Sequence, residues 1–350
     1  MNCYYAIGIM SGTSLDGVDI CYAMLTKTSD ESWSYSILES TTIPYTKSWV
    51  KKLVKAPKLS SEKLLALHSE YGLFLGKLTQ KFIRKNSIEN VDLISSHGHT
   101  IFHQPKKKFT FQLGDGAGIS IATGIPTYFD FRTQDVLLRG NGAPLVPIGD
   151  QLFFNQYDAC LNLGGFSNIS LRKDNKRIAF DISPVNFVLN HLSLKLGHPY
   201  DTDGQIARES EIDLNALVKL QKLSFYREKG PKSLGREWVE KSVFPILEKL
   251  SPKIALTTFN EHIALQISRV LNEFEISSVL ITGGGAYNSF LLDKLKEKTK
   301  TSLVVPQKEL IDYKEALIFA LMGVLRHRGE INTLCSATGS ERDHSSGKLA

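Results

Sequence analysis

Val18, Ile20 and Tyr22 alternate as one face of a β-strand does, and Tyr4 to Met10 is an apolar stretch just ahead of them. Between the two lies Ser11-Gly12-Thr13-Ser14-Leu15-Asp16-Gly17, so the pattern predicts a hairpin whose turn is rich in backbone N–H and hydroxyl donors. The same sequence of apolar strand, small-residue turn and apolar strand returns at Ala159 to Leu171, with Gly164-Gly165 in the turn. Such a return, about one lobe-length later, is either the start of a second lobe with the plan of the first or an unrelated surface hairpin. Helical spacing joins Leu64, Leu67, Tyr71, Leu75, Leu78 and Phe82, with Ser60-Ser61-Glu62 as a cap. Val91 to Ser96 predicts a buried strand that delivers His97-Gly98-His99-Thr100 at its end, where α/β proteins carry chemistry.

Further on, Arg177 to Phe180 predicts a strand ending in Asp181, with Ser183 as N-cap and Pro184 as first residue of a helix through Phe187, Val188, His191, Leu192 and Leu196. Ser278 to Thr282 predicts a strand running into Gly283-Gly284-Gly285, and Phe290, Leu291 and Leu295 begin the helix after it. Lys314-Glu315-Ala316 opens a helix through Arg326 that reads as amphipathic, and the polar stretch 339–347 reads as a mobile tail. The turn-rich stretch from Asp130 to Pro147 is the expected lobe crossing, giving a first lobe of 1–131 plus 334–350 and a second of 132–333.

A length of 350 residues exceeds what one core usually supports, which agrees with two lobes. No apolar run is long enough for a bilayer, the best being Ala316 to Leu325. With no basic residue before Lys27, the start of the chain does not read as a secretory signal. Cys3, Cys21, Cys160 and Cys335 lack paired spacing, which disfavours a disulfide framework or a zinc site; a cytoplasmic protein is expected. The net charge of +6 sits on helix-like lysine segments without interleaved aromatics, so neither nucleic acid nor membrane is an expected partner.

The opening turn can cradle a phosphate: small residues let it approach the main chain, successive N–H groups make an anion nest, and Asp16 or Asp19 can hold the water shell of magnesium. It is not a Walker loop, because Val18 and Asp19 follow Gly17 where that motif needs Lys and Ser or Thr. A polar hairpin tip explains the same residues. Asp181, at a strand end near a helix start, is either a working carboxylate or a turn-stabilising one. Tyr200-Asp201-Thr202-Asp203-Gly204 lacks the EF-hand pattern and is expected to touch the partner lobe or a second subunit. The triple glycine lets a nucleotide lie against the backbone, but it is not a dinucleotide fingerprint.

Ile7 to Asp19, His97-Gly98-His99-Thr100, Asp130-Phe131-Arg132, Gly142 to Pro147, Leu163-Gly164-Gly165, Tyr200 to Gly204, Gly283-Gly284-Gly285, Lys314-Glu315-Ala316 and Thr338-Gly339 occur in one order. In these segments the chain resembles the anhydro-N-acetylmuramic acid kinase family, a branch of the sugar kinase, actin and heat-shock ATPase superfamily. The resemblance implies an α/β, two-lobed actin-like ATPase with duplicated ribonuclease H-like lobes and an active-site cleft between them. It implies ATP and magnesium as cofactors, a homodimer, and a reaction that opens 1,6-anhydro-N-acetylmuramic acid with water and phosphorylates O6. Asp181 matches the family's base and Glu315 a second carboxylate near the sugar. Ser11, Gly12, Thr13, Ser14, Asp16, Gly17 and Asp19 would grip phosphates, Gly164 and Gly165 would approach them, and Gly283, Gly284 and Gly285 would lie against adenosine. His97, Thr100 and Arg132 would contact sugar, the planar fork of Arg132 suiting a carboxylate.

Where the family reads Asp-Thr-Gly-Pro-Gly-Asn, this chain has Asp181-Ile182-Ser183-Pro184-Val185-Asn186, and the two lost glycines are expected to narrow the space beside the backbone. Asn190 stands where a carboxylate is common and His99 where Gln is common. Two other readings compete: a non-catalytic ATP- or sugar-binding paralogue or a kinase of another sugar, and a metal-dependent hydrolase using His97, His99 and His103. The last lacks a nearby carboxylate or an HExxH helix to complete its ligands.

Overall fold

The computed structural model describes residues 2–12, 15–28, 32–228 and 232–350. They form two compact units, Met1–Phe153 with Tyr313–Ala350, and Phe154–Asp312. The crossings therefore fall at 153/154 and 312/313 rather than at the expected 132 and 334. The stretch from 132 to 153 finds its partners in the first unit: Asp135 accepts from Thr338 Oγ1 at 2.7 Å, and Asp150 pairs with Lys314 at 2.7 Å.

In the first unit, β1 (Asn2–Met10), β2 (Gly17–Lys27) and β3 (Trp33–Pro44) form an antiparallel meander. After the helix Ser61–Lys85 come β4 (Leu93–Ser96), the hairpin of β5 (His99–Gln104) and β6 (Phe109–Leu113), and β7 (Thr127–Phe129). Strand β4 lies parallel to β1, and β7 parallel to β4. Ile7, Ile9, Val18, Ile20 and Tyr22 share a core with Leu67, Tyr71, Leu75 and Phe82, which is why the period-2 and period-3.6 stripes were both visible in the sequence. Each large aliphatic or aromatic side chain so buried contributes roughly 1.5–3 kcal/mol. Ser60 is the N-cap residue of the 61–85 helix, yet its side chain makes no capping bond.

The second unit repeats the plan with β8 (Ala159–Leu163), β9 (Phe166–Lys173), β10 (Lys176–Pro184), β11 (Ser278–Thr282) and β12 (Ser302–Val304). Its strand order is β10-β9-β8-β11-β12, and that of the first unit runs β3-β2-β1-β4-β7. Both have three antiparallel strands followed by two parallel ones. This is a duplicated ribonuclease H-like arrangement. Ala159, Leu161, Leu163, Ile169 and Leu171 face Phe259, Ile263 and Ile267 of the helix Pro252–Glu273, whose Ser251 cap accepts from Ile254 N at 3.4 Å.

Two expectations are corrected. The helix expected from Lys314 starts at Lys308 and runs to His327; Lys308 and Glu309 in its first turn are exposed, whereas residues 316–325 are buried on every face, so that part is a core helix with no wet stripe. Its close seat depends on Gly8, where a Cβ would come within 1.8 Å of the Ala316 carbonyl oxygen. No helix among the described residues is long and apolar enough to cross a membrane.

The stretch 339–347 is folded. Ser340, His344 and Ser346 are buried, and Asn332 ties Ser346 from both sides, accepting from its N–H at 2.7 Å and donating to its carbonyl at 2.8 Å. The chain then adds β13 (Lys348–Leu349) antiparallel to β7. Polarity there reflects internally satisfied hydrogen bonds, which composition alone does not separate from a solvated tail.

The carboxylates of the 200–204 turn bind main-chain groups of their own unit. Asp201 accepts from Ile206 N at 2.9 Å and Ala207 N at 3.0 Å, and Asp203 from Ser289 N at 3.1 Å. These are helix-start groups, and the carboxylates satisfy them as caps do.

Candidate active site

In the first unit, the β1–β2 pairing ends with Met10 opposite Asp19, so the turn begins at Ser11. Ser11 is buried. Its Oγ donates to the Gly98 carbonyl at 3.1 Å and accepts from Tyr71 OH at 3.0 Å. Thr13 and Ser14 lie outside the described residues. Leu15 adopts a left-handed φ of 64°. At Gly17 a Cβ would meet the Ile43 carbonyl oxygen at 2.5 Å, so this glycine is required for β2 to leave the turn beside β3. Asp16 is exposed and Asp19 half-buried, with Asp19 Oδ1 accepting from Thr42 Oγ1 at 2.6 Å.

His97 and Arg132 form one device. Nδ1–H of His97 donates to the Gly98 carbonyl at 2.8 Å, and Nε2 accepts from Arg132 Nε at 2.9 Å. Burial first, and the guanidinium second, hold the imidazole well below its ordinary pKa, so it is neutral with the proton on Nδ1. Both ring nitrogens are thus engaged by protein groups, and His97 would meet a sugar or a metal through them only by giving up one of these bonds. Arg132 also donates to the Gly142 carbonyl. Burial lowers its pKa to about 10, with Glu315 and Asp135 opposing. It stays a cation, with donors left over for an anion. Burial raises the Glu315 pKa, Arg132 counters it, and Asp19 adds to the rise, so Glu315, Arg132 and Asp19 form one electrostatic group. Thr100 is half-buried, its Oγ1 accepting from Gln112 Nε2 at 3.5 Å.

In the second unit a polar row crosses the sheet: Asp181 on β10 pairs with Asn168 on β9, Asn168 with Asn162 on β8, and Asn162 with Thr282 on β11. Directly opposed residues share a face. Both glycine turns start at this row, Gly164-Gly165 after β8 and Gly283 to Gly285 after β11. Gly283 has φ 82°, and a Cβ there would lie 2.4 Å from Asn162 Oδ1. Gly165 and Gly284 are exposed and would accept a Cβ without a clash, so their bare backbone is open to a ligand.

Asp181 is three residues before the end of β10 rather than at it. Ser183, expected as an N-cap, is instead locked to β9: its N–H donates to Ser167 Oγ at 3.1 Å, and Ser167 Oγ donates to its carbonyl at 3.0 Å. The helix runs Asn186–Leu194 with Val185 as its N-cap residue. Ser183 and Val185, where the family has glycine, are both fully buried, so the added atoms lie in the interior. Asp181 Oδ2 accepts from Leu234 N at 2.7 Å, and Asp181 N donates to the Lys232 carbonyl at 2.9 Å. Burial pushes the carboxyl up to about 6, with the Leu234 bond opposing. That places a carboxylate near the range of a general base.

Sequence reading did not single out the 232–235 segment, Asn162, or Asn168. The turn-like composition of Lys232-Ser233-Leu234-Gly235, and asparagines at non-core positions beside a glycine turn, are the signals that could have found them. Among the described residues, no group of three or more His, Cys, Asp or Glu could hold a metal ion.

Residues 4–350 match the family model described as anhydro-N-acetylmuramic acid kinase. A protein of that name from Bacillus thuringiensis (strain Al Hakam) is 31% identical over 98% of this chain and 97% of its own length. Another from Bacillus cereus (strain 03BB102) is 31% identical over 97% of each. Among solved structures, component A of the Acidaminococcus fermentans (R)-2-hydroxyglutaryl-CoA dehydratase aligns over 91% of this chain and 96% of that one, at 12% identity and a TM-score of 0.49.

Proposed function

The chain belongs to the anhydro-N-acetylmuramic acid kinase family, and we propose that it uses ATP to open 1,6-anhydro-N-acetylmuramic acid and to phosphorylate O6 of the opened sugar. Water attacks the anomeric carbon and gives its proton to Asp181; the C1–O6 bond breaks, O6 takes the γ-phosphoryl group, and ADP leaves. The product is N-acetylmuramic acid 6-phosphate, a step in cell-wall recycling. The observation that carries this reading is Asp181 itself, fixed by Leu234 and raised to about 6, with the exposed backbone of Gly165 and Gly284 on the same unit.

Phosphoryl transfer depends chiefly on position and charge neutralisation. The main chain of the β1–β2 turn supplies anion donors, and Asp16 and Asp19 suit the hydration shell of magnesium, which when bound neutralises phosphate charge. Arg132 offers its remaining donors to the sugar's lactyl carboxylate, Glu315 orients water or a hydroxyl, and Thr100 contacts the sugar. Gly283 to Gly285 receive the adenosine. A cytoplasmic homodimer completes the reading; light scattering tests the dimer.

The decisive experiment incubates the protein with magnesium, ATP and the anhydro sugar and weighs the product. A gain of both water and phosphate is expected. Gain of phosphate alone would make the protein an ordinary sugar kinase, and no product would remove the proposed function.

A further inference from the structure

Thr338 is fully buried, and its hydroxyl donates to Asp135 Oδ1 at 2.7 Å. Asp135, also fully buried, accepts from Gly142 N on its other oxygen at 2.6 Å. Gly142 in turn receives Arg132 on its carbonyl, and Arg132 holds His97 at 2.9 Å. His97 Nδ1 and Ser11 Oγ both donate to the Gly98 carbonyl, at 2.8 and 3.1 Å. A single run of hydrogen bonds therefore joins the C-terminal segment to the arginine and to the first residue of the β1–β2 turn. Main-chain contacts reinforce its far end: Asn141 N donates to the Thr338 carbonyl at 2.8 Å, and Gly140 N to the Asp135 carbonyl at 2.8 Å.

We propose that Thr338 is a positioning residue for the sugar step, setting the guanidinium of Arg132 through Asp135 and Gly142. The proposal rests on the reading of Arg132 as the sugar's carboxylate ligand. Its physical basis is that a buried carboxylate keeps its place only while its partners are present. Without the Thr338 hydroxyl, one oxygen of Asp135 loses a donor and the side chain must turn toward another. Gly142 is bound to the opposite oxygen, so it moves with Asp135, and Arg132 moves with Gly142. A carboxylate ligand displaced by about 1 Å holds the sugar less well, which is read in the sugar KM.

The test compares wild type, Thr338→Val, which keeps the shape and removes the hydroxyl, and Thr338→Ser, which restores it. With the anhydro sugar varied at saturating ATP, Thr338→Val is expected to raise the sugar KM by about tenfold or more, while the KM for ATP stays within about twofold and Thr338→Ser behaves as wild type. In the ligand-free proteins, nitrogen NMR of the His97 ring gives a readout that needs no activity. The wild type and Thr338→Ser are expected to show one tautomer, protonated on Nδ1, and Thr338→Val a shifted Nε2 signal as Arg132 leaves it.

An unchanged sugar KM with unchanged ring signals would overturn the proposal. So would a parallel rise in both KM values with a loss of cooperative melting, the mark of a merely structural role. Should Thr338→Val fail to fold, Asp135→Asn, which keeps one acceptor, is measured the same way and must give the same split. If the wild type turns over no anhydro sugar, the functional reading fails, while the His97 signals still decide the coupling.

Discussion

The side chain of Asp181 and the backbone of Leu234 are bound at 2.7 Å, and the Asp181 N–H returns a bond to Lys232 at 2.9 Å. The 232–234 segment thus holds the carboxylate from both its main chain and its side chain. Burial there disfavours the charge, and a base must nevertheless be charged to work.

Asp181→Asn is therefore expected to lower kcat by orders of magnitude while the protein stays folded and binds ATP, as measured by single-turnover kinetics and calorimetry. A near-wild-type rate would remove Asp181 from the base role. In the wild type, kcat should fall as pH drops through about 6, because protonation of Asp181 removes the base.

Stability moves the other way at this residue. The folded carboxyl titrates near 6 and the unfolded one near about 3.9, so its contribution is full below about 4 and lost as pH rises through about 6. At pH 7 Asp181→Asn should melt higher than wild type by roughly a few degrees, a trade of stability against activity read by thermal unfolding. A lower melting point would contradict the burial argument.

His262 gives the opposite acid limb. It is fully buried between Tyr226, at 4.8 Å between ring centroids, and Phe259, at 5.6 Å, and neither ring nitrogen has a partner among the described residues. Burial lowers its pKa to about 3 and that of His99 to about 4. Groups held neutral in this way contribute stability above the unfolded value of about 6.5 that is lost as pH falls toward 3 to 4. Denaturant unfolding between pH 7 and 4 should show this loss, and His262→Phe should flatten it; an equal slope in both proteins would refute the assignment.

Lys314 and Asp150 are buried and paired at 2.7 Å. Removing one partner strands a charge, so Lys314→Met is expected to cost about 3–5 kcal/mol in urea unfolding. Adding Asp150→Leu should recover much of that loss. If the double variant is no more stable than the single, the pair is not what the lysine contributes.

Among the described residues, the only atom near a Cβ added at Gly284 is Asn186 Nδ2 at 3.5 Å. Gly284→Val should therefore fold normally and yet weaken ATP binding by about tenfold or more, if adenosine lies against that backbone. Unchanged affinity by calorimetry would move the nucleotide elsewhere.

Much of this was legible in the sequence where one periodicity dominates. The alternation of Val18, Ile20 and Tyr22, the 61–85 stripe and the glycine turns after β8 and β11 all correspond to elements with one core-facing side. Legibility failed where long-range hydrogen bonds decide. Ser183 and Pro184 carry a helix-start signature, but a cross-strand bond from Ser167 keeps them in β10. His97 looked like a ligand because a histidine after a buried strand often is one, and only its contact with Arg132, 35 positions away, shows both nitrogens in use. The polar residues from 339 to 347 resemble a solvated tail until Asn332 is seen to receive Ser346. The two glycines missing after Asp181 looked disruptive, yet both positions point inward.

The contact of Gly8 with the carbonyl of Ala316 leaves no side chain between a central strand and the core helix. Glu315 therefore takes its height above the sheet from main chain resting on main chain, a spacing that no rotamer change can adjust. Laboratory evolution of sugar preference has latitude among the surrounding side chains, but a methyl group at residue 8 would lift the helix and every carboxylate and lysine it carries at once.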